Sequence, residues 1–437
     1  MSPDSSRPDP ASQARSTLDE LGRLRERARA PAPPELHRRA RTLLDAHFGP
    51  AEQQGPVEDG FGRGAVGLLA DHTHYSDGFA VLAPMAWGTA VAARRAPEAP
   101  TRLVLAEASD AEDAEGDATT CRPSAGGPSS PPGEARVAQA VLDAFAPGPV
   151  EAAVVSAVPP ACFDARLAAL GGAAARAALA LGGTEASPNA RPTDAEERVR
   201  AALAEGRGVP FSRAPVQAAA HDATPPPNAS SPRWLLADTA ARERLAFEAP
   251  SEDTLRCGLI ALGGTGETRA GGTLVQPPAF HHQRRRQADN ALRVLREDDG
   301  FAGLTSFRDL EHRDLDRAEA LLPPALEPIA RHLLTENRRA GKIVRATRHG
   351  DGQLLGALLL MSHTSLIDNW QGASPPLNAV VNAAEDADID GLYGACQTGR
   401  GPCVLVAGRP AALPAFFRHA TDLLDEQFDR PAETMLL

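Results

Sequence analysis

No apolar run in the 437 residues approaches the ~20 needed to cross a bilayer, so a membrane-spanning helix is not expected. An apolar signal core is lacking as well: residues 1–21 are polar and proline-bearing. Cysteine is scarce. Cys121, Cys162, Cys257, Cys396 and Cys403 are odd in number and contain no CxxC pair, which argues against both a zinc site and a disulfide framework. Basic excess is missing too. A formal charge of -12 argues against nucleic acid as a partner, because phosphate backbones need clustered positive surface. These absences together describe a soluble, cytoplasmic chain with reduced thiols, its acidity serving solubility.

What is present is globular. Hydrophobic residues make up 42% and charged ones 23%, and 38 glycines with 39 prolines point to long loops on an Ala-, Leu- and Arg-rich body. The length calls for two domains. Residues 1–35 read as a disordered tail. In 36–48, Leu36, Ala40, Leu43, Leu44 and Phe48 share one helical face. Apolar runs either side of a polar knot in 65–85 read as strand, turn, strand, with further strands at 86–93 and 102–108. An acidic stretch, 109–135, reads as an exposed loop insertion. Val137, Ala138, Val141, Leu142 and Phe145 mark the next helix, 151–157 a buried strand, and an alanine-rich helix runs to about 181. A proline-rich loop, 221–232, separates an N-terminal domain (36–220) from a C-terminal one (233–437). The second half opens with strands at 233–237 and 257–262. Helical stripes follow (Ala288, Ala291, Leu292, Leu295; Ile329, Ala330, Leu333, Leu334; Leu354, Leu355, Leu358, Leu359, Met361), and a strand–helix unit closes the chain. The class is α+β, two layers side by side.

Chemistry concentrates in Asp71-His72-Thr73-His74-Tyr75-Ser76-Asp77-Gly78. An acid, two imidazoles and a phenol between apolar strands suit a binding site. On a strand, His72 and His74 also share a face, as in metal hydrolases with an HxH pair, and His281-His282 offers further ligands.

Longer segments carry a resemblance. Residues 280–295 (FHHQRRRQADNALRVL), 321–339 (LLPPALEPIARHLLTENRR), 354–384 (LLGALLLMSHTSLIDNWQGASPPLNAVVNAA) and 391–399 (GLYGACQTG) resemble, in order, segments of the galactokinase family of GHMP small-molecule kinases. The resemblance covers nearly everything from 36 onward. It implies the two-domain GHMP fold, an N-terminal mixed α/β domain with a ferredoxin-like α+β C-terminal domain. It also implies transfer of the ATP γ-phosphate to O1 of galactose with Mg2+, a reaction that rests on positioning and charge neutralisation.

Carried over residue by residue, the family's sugar-binding positions are Asp71, His72 and His74, beside Tyr75. The family has glutamate where Asp71 stands and aspartate where His74 stands. Its arginine falls on Ala65, with Arg63 nearby. The phosphate loop aligns with residues 159–169, where the glycines are replaced, one by Phe163, and Asp164 and Arg166 stand in the loop. The catalytic aspartate falls on Val216, with His221 and Asp222 a few residues on, and the sugar-contacting tyrosine falls near His281. The last glycine-rich motif shortens to Gly399-Arg400-Gly401-Pro402-Cys403. Arg166, Thr398, Gly399 and Gly401 remain for nucleotide, and no catalytic group is retained.

Three readings follow. The first is a degenerate kinase that binds a sugar or a protein partner in a regulatory or scaffold role. The second is an active sugar kinase with a rearranged site, using Asp222, Asp71 or His74 as base and Arg63, Arg166 or Arg400 on phosphate. The third is a metal hydrolase on Asp71, His72 and His74.

Overall fold

The computed structural model describes residues 30–50, 55–69, 76–97, 100–108, 119–121, 133–182, 192–207, 211, 213–220, 233–263 and 274–437. Among these, α1 (Pro33–Phe48) opens on prolines, whose fixed φ suits a first turn. It buries Leu36, Ala40, Leu43, Leu44 and Phe48, the face that the spacing predicts. Strands β1 (Glu58–Leu69), β2 (Phe79–Arg95), β3 (Arg102–Glu107) and β4 (Thr119–Cys121) follow, then α2 (Glu134–Phe145) and β5 (Val150–Ser156). Three helices come next: α3 (Phe163–Ala180), α4 (Pro192–Arg207) and α5 (Arg213–Ala220). Strands β6 (Arg233–Asp238), β7 (Glu243–Glu248) and β8 (Arg256–Leu262) lead into a helical stretch. It comprises α6 (Pro278–Leu295), α7 (Leu315–Leu321), α8 (Glu327–Arg348), α9 (Gly352–Ser365) and α10 (Pro375–Asp386). Strands β9 (Leu392–Gln397) and β10 (Cys403–Gly408), α11 (Leu413–Phe428) and β11 (Ala432–Leu436) end the chain.

Two sheets result. The first is seven-stranded, β4-β3-β5-β2-β6-β7, with β1 on the free side of β2; the second is four-stranded, β11-β8-β10-β9. The long β2 organises the first sheet. One edge takes β1 antiparallel along most of its length, while the other takes β6 at Phe79–Leu82 and β5 at Thr89–Arg95. The strand expected at 86–93 is therefore the second half of β2. Strand β6, expected to open the second half of the chain, hydrogen-bonds into the first sheet instead.

Helix α3 packs unusually close to β1. Gly60 and Gly62 face Ala173 and Ala169, where an added Cβ would overlap helix carbonyls. Alanine on one element and glycine on the other let the backbones approach, and this fixes the start of α3 against the β1–β2 hairpin. Apolar side chains from α8 and α9 join both sheets in one core, with Val81, Met85, Cys162, Leu259, Ile343, Leu358 and Leu405 among its members. In the third predicted stripe, Leu355, Leu358 and Leu359 are buried, but Leu354 (40% exposed) and Met361 (51%) face solvent. Five leucine and methionine positions in eight residues are more than one face can hold. Trp234 and Trp370 are buried, as core or interface residues should be.

Candidate functional site

Asp71, His72, His74 and Tyr75 lie outside the described residues. The exit of their knot does not, and it is tied to both halves of the chain. Asp77 adopts the left-handed φ of 60°, and Arg213 on α5 lies 3.5 Å from its carboxylate. The Gly78 carbonyl accepts from both the backbone N–H and the hydroxyl of Thr239. The Phe79 N–H donates to Asn337 of α8 at 2.9 Å. Arg308 grips Asp238 with two hydrogen bonds, at 2.6 and 2.8 Å, and stacks on the Phe79 ring. Burial is the largest influence on Asp238 and would raise its pKa, but Arg308 and the backbone N–H groups of Ala240 and Ala241 together outweigh it and hold the carboxyl below its ordinary range.

The start of α3 is where the resemblance puts the phosphate loop, and here the chain supplies its own anion. Asp164, in the first turn of α3, meets Arg400 in a fork of three hydrogen bonds at 2.8 to 3.1 Å. Both residues are buried, at 6% and 7% exposure, and the Arg400 guanidinium also lies over the Phe211 ring. A helix N-terminus favours negative charge, and the Asp164 carboxylate supplies one in this first turn.

The loop from Thr398 to Cys403 closes over this turn. Thr398 donates its hydroxyl to the Gly67 carbonyl at 2.7 Å, and Gly399 takes φ 64°. Gly401 sits so close to the 161–163 backbone that a Cβ there would overlap the Ala161 carbonyl. The Cys162 and Cys403 sulfurs are 3.9 Å apart. Between these walls and Ala65, Val66, Gly67, Leu82, Ala165 and Pro215 remains a cavity of about 20 Å3, room for about one water. This cavity, bounded by described residues, has no room for a nucleoside triphosphate.

Arg166, expected on phosphate, is engaged elsewhere. Its guanidinium bonds Glu134, Glu107 and the Val158 carbonyl. Burial opposes its charge, yet the two glutamates outweigh burial and raise its pKa. Val216, where the resemblance puts the catalytic aspartate, packs into the core of α2, α3 and α5, and it is its neighbour Pro215 that reaches the cavity. Ala65 forms a wall where the family has an arginine, while Arg63 precedes a register shift in β1 and is not among the lining residues. His221 and Asp222 lie outside the described residues. His281 lines a second small cavity with Gln276, Gln397 and Arg400. Among the described residues, no group of three or more His, Cys, Asp or Glu is placed to hold a metal ion.

The Asp164–Arg400 pair is the feature that sequence reasoning missed. Its signal was an acid in one altered motif and a base in another, departures of opposite sign in loops that must face each other.

A two-sheet α+β body whose last glycine motif folds onto the start of α3 defines the class as the GHMP small-molecule kinase fold. Within that class the relatives it matches are galactokinases. No family model matches the chain. It is similar to galactokinase from Roseiflexus sp., 35% identical over 28% of this chain and 30% of that protein. It is also similar to galactokinase from Homo sapiens, 33% identical over 31% and 33%. These matches thus span about a third of the relatives' length. A crystal structure of Lactococcus lactis galactokinase complexed with galactose superposes over 91% of this chain and 96% of its own, with TM-score 0.69 and 17% identity. Among the described residues no helix is long and apolar enough to cross a membrane.

Proposed function

We propose that this chain is a degenerate galactokinase-like protein, a sugar-binding or regulatory member of its family that has given up phosphoryl transfer. The single observation that supports this most is the buried Asp164–Arg400 pair, standing where the family binds phosphate. Phosphoryl transfer needs donors aimed at the γ-phosphate and a group at the accepting hydroxyl. Here Arg400 is bound to Asp164 and Arg166 to two glutamates, so two of the three candidate phosphate ligands of a rearranged kinase are already neutralised, Arg63 being the third. Val216 and Ala65 supply neither base nor charge. Loss of one preorganised group commonly removes ~3–4 kcal/mol of transition-state stabilisation, and several are lost together.

ATP and Mg2+ are family expectations that this arrangement argues against. For the sugar, Asp71, His72, His74 and Tyr75 remain the proposed contacts, and galactose is the first ligand to try, since the Lactococcus lactis relative was crystallised with it. Thr398, Gly399 and Gly401 are proposed to act as a closure over α3 rather than as nucleotide ligands. The domain division is proposed at the proline-rich loop in sequence, although β6 and β7 beyond it reach back into the first sheet. A cytoplasmic location and a protein partner remain part of the reading. The metal-hydrolase reading is not favoured, since no group of metal-ligating residues gathers among the described residues. The reading is tested by titrating galactose against thermal stability and assaying ADP release over a sugar panel. Stabilisation by sugar without ADP release is expected; sugar-dependent ADP release would overturn it.

A further inference from the structure

The floor of the closed cleft carries a pair of thiols that the closure itself does not require. Cys162 immediately precedes α3 and Cys403 begins β10. Their sulfurs lie 3.9 Å apart, although 241 positions separate them in sequence. Both are buried, and both line the cavity that has room for about one water. The backbones that carry them are held in register by Gly401 against Ala161 and by Arg400 against Asp164. A disulfide needs sulfurs at ~2.05 Å, so the gap to be closed is about 1.9 Å, within reach of a side-chain adjustment.

We propose that Cys162 and Cys403 form an oxidation site for hydrogen peroxide, and that the resulting disulfide locks the two sheets together across the cleft. The regulatory consequence rests on the closed-cleft reading above; the thiol chemistry does not. Peroxide suits the site because it is little larger than the water that the cavity admits. In the first step one cysteine sulfur attacks a peroxide oxygen. The O–O bond breaks, the released hydroxide leaves as water with the thiol proton, and the cysteine becomes a sulfenic acid. In the second step the other sulfur attacks that sulfenic sulfur. The S–O bond breaks, and the hydroxyl leaves as water with the second thiol proton. Two thiols are oxidised to one disulfide, and one peroxide is reduced to two waters.

The experiment uses the purified full-length chain. It is treated with hydrogen peroxide, denatured, alkylated, and read by intact mass and by peptide mapping. The expected result is loss of two hydrogens, reversed by dithiothreitol, with one cross-linked peptide joining Cys162 to Cys403. A crosslink closing so long a loop is expected to raise Tm by roughly 5 °C. C162S and C403S are expected to abolish the crosslink and the Tm rise. Wild-type mapping decides alone if either variant fails to fold. Full alkylation of both thiols after peroxide, or a crosslink through a different pair, would overturn the proposal. Titrating ATP-Mg against the reduced protein reads the closed cleft independently: a crosslink together with nucleotide binding would sink that reading and leave this one standing.

Discussion

Arg400 and Asp164 exist as a unit. Alone, either would be a buried charge stripped of the ion-pair partner seen here, and the expected cost of Arg400→Ala is about 3–5 kcal/mol in urea unfolding. Replacing both partners together, as in Asp164→Leu with Arg400→Met, is expected to recover most of that loss, because both buried charges are removed at once. Purely additive losses in the double variant would show that the residues act separately. The same logic explains why the pair was not legible one residue at a time. Asp164 looks like a repulsive defect in a phosphate loop, and Arg400 like a spare phosphate ligand. Only their juxtaposition, set by the shortened loop after Thr398, turns two defects into one closure.

Helices α8 and α9 hold the halves together through buried polar groups. Asn337 on α8 accepts the Phe79 N–H while donating to the Leu333 carbonyl, so it clips β2 to the helical layer. Asn337→Ala would orphan a part-buried N–H, and a loss of about 1–3 kcal/mol is expected from denaturant unfolding. It should also weaken sugar binding, read by the galactose titration, because the clip anchors the exit of the 71–78 knot.

His332 on α8 bonds Ser365 at 3.0 Å, and burial, with Arg339 nearby, pushes its imidazole down to about 3. Burial likewise lowers His363 on α9 to about 4. Both are neutral when folded and would protonate near 6.5 when unfolded. The unfolded state therefore binds more protons below pH 6.5, and stability falls as pH drops from there toward the folded values. The expected slope is about 1.4 kcal/mol per pH unit for each histidine, measurable as urea midpoints between pH 7 and 5. The neutral variants His332→Gln and His363→Gln should flatten it; an unchanged slope in the variant carrying both would contradict the assignment.

At the scale of the molecule, what sequence could reveal tracks how local the determinant is. Helix faces on α1, α2 and α8 were legible because 3.6-residue periodicity is written in adjacent residues. The membership of β6 in the first sheet was not, because strand pairing with β2 is decided by contacts about 155 residues away (Leu82 to Leu235 at the near end) and leaves no periodic mark. Helix α5 was missed because Pro215 interrupts a short alanine-rich stretch. Of the site, the polar knot and the altered motifs could be read from residue types alone. That Val216 turns into the core while Pro215 faces the cavity could not, since one residue of helix rotation decides it.

The central claim is that the family's phosphate site is closed by the chain's own carboxylate and guanidinium. Calorimetric titration of ATP-Mg into the reduced protein, with and without saturating galactose, tests it most directly. The closed site requires no saturable nucleotide heat in either condition. Saturable ATP-Mg binding that strengthens with galactose would contradict it.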